Sequence, residues 1–115
     1  MIYGVSQSSG VERQLMVDRG GQGVVLSITD HVGGQERGRI MVPTGNLLAT
    51  ITDPLPGGCT VEGISPPQGA KMLLDVQVCR NEVQLRARGE SGDGSDVAVG
   101  LDDFQDALAG VITAE

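Results

Sequence analysis

Two stretches of the chain change from strand periodicity to helix periodicity at a turn residue, and this change limits the possible folds most. Residues 95–114, SDVAVGLDDFQDALAGVITA, alternate up to Gly100 and then place apolar side chains at helical spacing from Phe104. Residues 37–52, RGRIMVPTGNLLATIT, show the same order of signals, with Pro43 at the turn. Residues two apart share one face of a strand, whereas residues three or four apart share one face of a helix. Each stretch therefore predicts a strand, a tight turn and a helix.

The pattern around these two stretches indicates an internal repeat. Three alternating runs precede each stretch, at 2–6, 11–18 and 24–31 and again at 59–65, 70–78 and 82–88. Apolar residues match at a constant separation of 57 positions, as in the pairs Leu15 and Met72, Val17 and Leu74, Leu26 and Val83, Ile28 and Leu85, Ile40 and Val97, Leu47 and Phe104, and Ile51 and Leu108. Self-similarity at a fixed period is typical of duplicated units. We therefore predict repeat I at 1–53, a linker at 54–58 and repeat II at 59–115.

The repeat also decides the predicted fold class. A chain of 115 residues is the size of one domain. A four-stranded sheet with one short helix leaves part of its apolar face uncovered, so the two units should pack together and share one core. The prediction is an α+β domain made of two ββββα repeats, with antiparallel sheets and a helix ending each repeat.

The composition limits the partners that the chain can bind. The net charge is −7 and the sequence pI is near 4.5, which disfavours strong non-specific binding to phosphates. The imbalance lies in the second half, because residues 1–57 carry a net charge of −1 and residues 58–115 carry −6. A polyanion would have to avoid that second half.

Catalytic, metal and cofactor sites are not indicated. Cys59, Cys79 and the single His31 have no zinc-site spacing. Asp30 and His31 are strand neighbours and point to opposite faces, so they cannot act together as a triad requires. The stretch 90–96, ESGDGSD, is rich in oxygen ligands but lacks the spacing of a calcium loop. We expect no enzyme activity, no metal and no cofactor.

The first residues do not show the pattern of a signal peptide. The first ten residues lack the basic and apolar segments of a signal peptide, and no apolar run is long enough to cross a bilayer. We expect a cytoplasmic protein that does not contact a membrane.

Two segments resemble those of a known family. RGRIMVPTGNLLATI at 37–51 is similar to the arginine-containing strand and proline turn of the Pur-alpha family, and SDVAVGLDDFQDALAGVI at 95–112 resembles its strand and following helix. The resemblance implies a Whirly/Pur-like fold that binds single-stranded DNA or RNA on the outer faces of its sheets and on the links between early strands. The matching positions are 19–22 and 80–82, with Ser27, Thr29, His31, Gln84, Arg86 and Arg88 on the third strands.

This resemblance gives the leading functional hypothesis, a non-enzymatic and regulatory binder of single-stranded nucleic acid. The side chains predicted to contact phosphates are Arg19, Arg37, Arg39, Arg80, Arg86 and Arg88, because arginine forks fit phosphate oxygens. Two alternatives stay open. These arginines can instead pair with acids such as Glu36, Glu82 and Glu90, and the chain can be a protein–protein interaction or oligomerisation module, which its charge favours. We expect a homodimer in either case.

Overall fold

The chain folds into a closed barrel of eight antiparallel strands with two helices. The computed structural model describes residues 2–21, 23–53, 56–66, 69–89 and 94–113. Its elements are β1 (Ile2–Val5), β2 (Glu12–Gly20), β3 (Gly23–Asp30), β4 (Glu36–Pro43), α1 (Thr44–Thr52), β5 (Cys59–Ser65), β6 (Ala70–Cys79), β7 (Glu82–Gly89), β8 (Gly94–Gly100) and α2 (Leu101–Thr113). Residues 54 and 55 of the predicted linker lie outside the described residues.

Closure of the sheet corrects the predicted fold class. Each strand pairs with the next along the chain, β4 pairs with β5, and β8 returns to pair with β1. The predicted α+β domain, with two ββββα repeats packed in a Whirly/Pur-like arrangement, is therefore wrong. The reason is physical: the free edges of the two halves pair with each other, so their apolar faces line one enclosed core rather than two stacked sheets.

The core consists of the inward side chains of the strands and the apolar faces of both helices. Leu15, Leu26, Ile40, Leu74 and Leu85 are among the fully buried strand residues. Both helices lie at one end of the barrel, because they follow directly on β4 and β8, which run in the same direction. Leu47 of α1 and Phe104 of α2 are completely buried in the same cluster. The helices therefore close this end of the barrel.

The two junctions between the halves of the chain are narrow. Among the described residues, only Val5 and Ala98 are registered partners between β1 and β8, and only Met41 and Ile64 between β4 and β5. Each junction has a glycine at which the backbones approach closely. A Cβ on Gly63 would lie 2.5 Å from the carbonyl oxygen of Met41, and a Cβ on Gly4 would meet the carbonyl oxygen of Ala98. Glycine at these positions allows the barrel to close.

Candidate binding surfaces

The six arginines predicted to bind phosphates do not form one group. Arg37 and Arg39 lie on β4, whereas Arg86 and Arg88 lie on β7, with β5 and β6 between them. The other two lie near the helix end of the barrel. Arg19 is near the end of β2, and Arg80 is in the turn between β6 and β7, with a left-handed backbone (φ 55°). A single groove lined by four guanidinium groups is therefore not formed.

Three of these arginines bind carboxylates of the chain itself. The Nε of Arg37 donates to Asp30 at 2.6 Å, that of Arg39 to Glu36 at 2.8 Å, and that of Arg88 to Asp75 at 2.7 Å. The sequence analysis offered such pairing as an alternative to phosphate binding, and the structure shows it for Arg39 and Glu36.

Arg88 belongs to a small polar group on the outer face of the barrel. The carboxylate of Asp75 accepts bonds from Arg88 and from the Thr60 hydroxyl, the latter at 2.8 Å. Burial acts to raise the pKa of Asp75, but the bonds from Arg88 and Thr60 outweigh it, so that this pKa lies below its ordinary value. Asp75 therefore stays ionised near neutral pH.

A second carboxylate, that of Asp96, holds the β1–β2 turn against β8. Its oxygens accept bonds from the hydroxyls of Ser6 (2.8 Å) and Ser8 (2.7 Å) and from the backbone N–H groups of Gln7 (2.8 Å) and Ser8 (3.1 Å). We call this group of four residues the Asp96 clamp. Burial acts to raise the pKa of Asp96, but the bonds from Ser8, Ser6 and Gln7 lower it overall.

The Asp96 clamp accounts for part of the acidic stretch that the sequence compared with a calcium loop. Residues 90–93 of that stretch lie outside the described residues, and Asp96 uses its oxygens within the clamp. Sequence reasoning missed the clamp because Ser6 and Asp96 are 90 positions apart. Their contact exists only once β8 lies beside β1.

An ion-pair network extends from the Asp96 clamp into the end of the barrel opposite the helices. Arg13 donates through Nη1 to the carbonyl oxygen of Asp96 at 2.8 Å and through Nε to the carboxylate of Asp30 at 3.3 Å. Arg37 binds the other oxygen of Asp30. The bond from Arg37 is the main reason that the pKa of Asp30 is lowered; burial opposes it, and Arg13 lowers the pKa further. Arg37 therefore links β4 to the carboxylate at the end of β3.

The outer face of β1 and β2 carries an aromatic pair that sequence reasoning missed. The rings of Tyr3 and His31 meet edge to face, with centroids 5.2 Å apart. The side-chain amide of Gln14 lies 2.9 Å from Nδ1 of His31. Tyr3 is 64% exposed. The sequence contained a signal for this: Tyr3 follows the apolar Ile2 in an alternating strand, so that the two side chains point to opposite faces.

Exposed apolar side chains concentrate around this pair. Among the described residues, seven large apolar side chains are exposed, and five of them lie on β1, on or just before β2, or just after β3. We call these five the β1–β2 face: Tyr3, Val5, Val11, Met16 and Val32. The pairing of Val5 with Glu12, and the bond from the His31 N–H to the Glu12 carbonyl, bring the three valines of this face to one end of the barrel.

Other site types lack support in the part of the chain that the structure describes. It contains no group of three or more His, Cys, Asp or Glu side chains that could hold a metal ion. Cys59 and Cys79 are free thiols. Neither of the described helices is long and apolar enough to span a membrane.

Comparisons with known proteins do not assign the chain to a family. No family model matches it, and neither the curated proteins nor the solved structures include a match. The resemblance of residues 37–51 and 95–112 to the Pur-alpha family therefore stays a prediction. The surfaces described above must carry the functional argument alone.

Proposed function

We propose that this protein is a non-enzymatic interaction module that pairs with a second copy of itself through the β1–β2 face. The supporting observation is the concentration of exposed apolar side chains on that face. Contiguous exposed apolar surface, as opposed to scattered single residues, is typical of protein–protein contact sites. Tyr3 suits such a contact because tyrosine combines a large apolar ring with a hydroxyl that can remain hydrogen-bonded.

The charge distribution favours a second copy as the occupant. The β1–β2 face belongs to the half of the chain whose net charge is −1, whereas the other half carries −6. Two copies with a net charge of −7 each repel one another unless their acidic halves point apart. A twofold contact through the β1–β2 face achieves this, because each copy then presents its least charged side to the other.

The oligomeric state tests this proposal. Light scattering coupled to size exclusion should give the mass of a dimer for the wild-type chain and that of a monomer for Tyr3→Ser with Val32→Ser. The matched control is Ile64→Ser with Ile112→Ser, which removes the two exposed large apolar side chains outside the face and should leave the dimer intact. A monomeric wild type, or a dimer that survives the Tyr3 and Val32 changes, contradicts the proposal.

Binding of single-stranded nucleic acid is the second candidate. The observation in its favour is that the Tyr3 and His31 rings lie on the outside of β1–β4, the four-stranded part that also carries Arg37 and Arg39. A base stacked on an aromatic ring gains about 1–3 kcal/mol. Arg39 can exchange its exposed partner Glu36 for a phosphate at little cost, since surface ion pairs contribute only about 0–1 kcal/mol.

Fluorescence polarisation with labelled single-stranded oligonucleotides at low salt tests the second candidate. Tyr3→Ser and Arg39→Glu should each weaken binding, whereas Arg86→Glu, on the far side of the barrel, should leave it nearly unchanged. If Arg86→Glu with Arg88→Glu weakens binding instead, the contact surface is the outer face of β7. Affinity weaker than about 10⁻⁴ M, the weak end of non-specific binding, rules out the nucleic-acid hypothesis.

A further inference from the structure

A groove crosses the outer face of the second half of the barrel and reaches the β1–β2 turn. Its floor is formed by β5, β6, β7 and β8 and its volume is about 540 Å³, within the range of about 300–1,000 Å³ usual for small-molecule sites. Gln7 and Ser8 of the β1–β2 turn form one wall, and Gly57 and Gly58 form the other. Gly58 has a left-handed backbone (φ 94°), and a Cβ there would lie 2.9 Å from the Val76 carbonyl oxygen.

The floor of the groove carries two rows of polar side chains that follow the strand register. In the first row, Thr60 lies opposite Asp75, Asp75 opposite Arg86, and Arg86 opposite Asp96. In the second row, Gln77 and Gln84 are direct cross-strand partners. All six side chains line the groove. The chain thus places hydroxyl, amide, carboxylate and guanidinium groups on one face of the sheet.

The charges of this floor are compensated within the protein. Asp75 is bound by Arg88 and Thr60 and is also stabilised electrostatically by Arg86. Asp96 is held by the Asp96 clamp. An amine would find both carboxylates already bonded, and a phosphate would meet two carboxylates against the one guanidinium that lines the groove, that of Arg86. A neutral ligand with several hydroxyl groups meets neither obstacle.

The two glutamines are the residues best placed for such a ligand. Gln77 is exposed, and Gln84 donates from its amide to Glu82 at 3.3 Å, which leaves the amide oxygen of Gln84 to accept from a ligand. A side-chain amide both donates and accepts, as a sugar hydroxyl does. Two amides side by side on adjacent strands can therefore bind neighbouring hydroxyls of one ring.

We propose that the groove over β5–β8 binds neutral polyhydroxylated ligands of the sugar class, with Gln77 and Gln84 as the principal contacts. This proposal rests on other residues than the dimer proposal, because none of the five side chains of the β1–β2 face lines the groove. Its failure would leave the dimer proposal unaffected, because sugar binding and oligomeric state are measured in separate experiments.

Amide chemical-shift titration with ¹⁵N-labelled protein tests the groove. Maltose and trehalose are the neutral probes, and glucose 6-phosphate and glucosamine are charged probes of related shape. We expect saturable shifts from the neutral sugars, confined to the groove residues, and weaker binding of both charged probes. Saturable binding that is tighter for either charged probe contradicts the neutral class. The absence of saturable shifts from both neutral sugars at millimolar concentration overturns the proposal.

Paired variants locate the contact. Gln77→Ala with Gln84→Ala should weaken sugar binding by about tenfold or more, the equivalent of losing one good hydrogen bond. Gln14→Ala is the matched control, because it removes a side-chain amide from the outer face of β2. This variant should bind the sugars as tightly as the wild type does. Unchanged affinity in the Gln77 and Gln84 variant, with a folded spectrum, also overturns the proposal.

Discussion

Replacing Asp96 with asparagine tests whether the Asp96 clamp closes the barrel. Asn keeps the shape of the side chain but removes its charge and turns one acceptor oxygen into a donating NH₂ group. Four donors of the β1–β2 turn now point at the carboxylate: the hydroxyls of Ser6 and Ser8 and the N–H groups of Gln7 and Ser8. The asparagine oxygen can accept about two of these bonds. The remaining donors lose their partner.

The expected loss follows from which donors water can reach. Gln7 and Ser8 are exposed, so water replaces much of what they lose. Ser6 is completely buried, and the Arg13 side chain beside Asp96 is only 13% exposed. A bond to a charged group contributes about 1.5–3 kcal/mol. The 2.8 Å bond from Arg13 goes to the backbone carbonyl of Asp96, which asparagine keeps, so that only its 3.5 Å contact with the carboxylate is lost. Counting the Ser6 bond and this weaker contact, we expect Asp96→Asn to lower the free energy of unfolding by about 2 kcal/mol.

Urea unfolding followed by far-UV circular dichroism measures this loss. Asp18→Asn is the matched control: it makes the same charge change at an exposed position on β2 and should alter stability by less than about 0.5 kcal/mol. Hydrogen exchange should locate the effect: relative to the wild type, Asp96→Asn should increase amide exchange rates more in β1 and β8 than in β4 and β5. If Asp96→Asn is no less stable than Asp18→Asn, the clamp does not hold the junction and our reasoning is refuted.

Three further predictions concern the charges, the junctions and the core. The pKa values of Asp30 and Asp96 are lowered below 3.8 in the folded chain. Their contribution to folding stability is therefore complete above that pH and is lost as the pH falls through the folded pKa values. The melting temperature should fall below about pH 4, and this fall should be smaller in Asp96→Asn than in the wild type. Gly63→Ala places a Cβ 2.5 Å from a carbonyl oxygen and should cost about 1–3 kcal/mol in urea unfolding, whereas Gly110→Ala, in open space on α2, should stabilise by about 0.5–1 kcal/mol. Phe104→Ala removes the largest fully buried side chain among the described residues and should cost about 3–5 kcal/mol. A calorimetric stability equal to that of the wild type would contradict the packing of α2 against the core.

Local pattern predicts which side chains enter the core but not how the sheet closes. Leu26 and Ile28 are buried, as the alternation of the third strand predicts. Alternation looks the same in two stacked sheets and in a barrel, because both bury one face of every strand. The difference lies in two junctions with one registered pair each, Val5 with Ala98 and Met41 with Ile64. Pairing between residues so distant in sequence leaves no local signal.

The same limit applies to the candidate sites. The number of arginines and their strand positions suggested a phosphate-binding groove. In the structure, however, Arg37 of β4 binds Asp30 of β3, and Arg88 of β7 binds Asp75 of β6. Tyr3 was visible in the sequence as an alternating strand residue, yet its exposure next to His31 depends on the end of β3 lying beside β2. Charge and residue type are local properties, whereas partners are set by topology.

The distribution of charge within the fold separates structural from functional surfaces. The most enclosed ion pairs, among Arg13, Asp30 and Asp96, lie where the barrel closes at the end opposite the helices. Because a partly buried charge that loses its partner is costly, these groups cannot be released for an external ligand without opening the barrel. Exposed side chains outside this network, such as those of the β1–β2 face, Arg39 and Gln77, can bind a partner without opening the barrel. Our three binding proposals draw on such side chains.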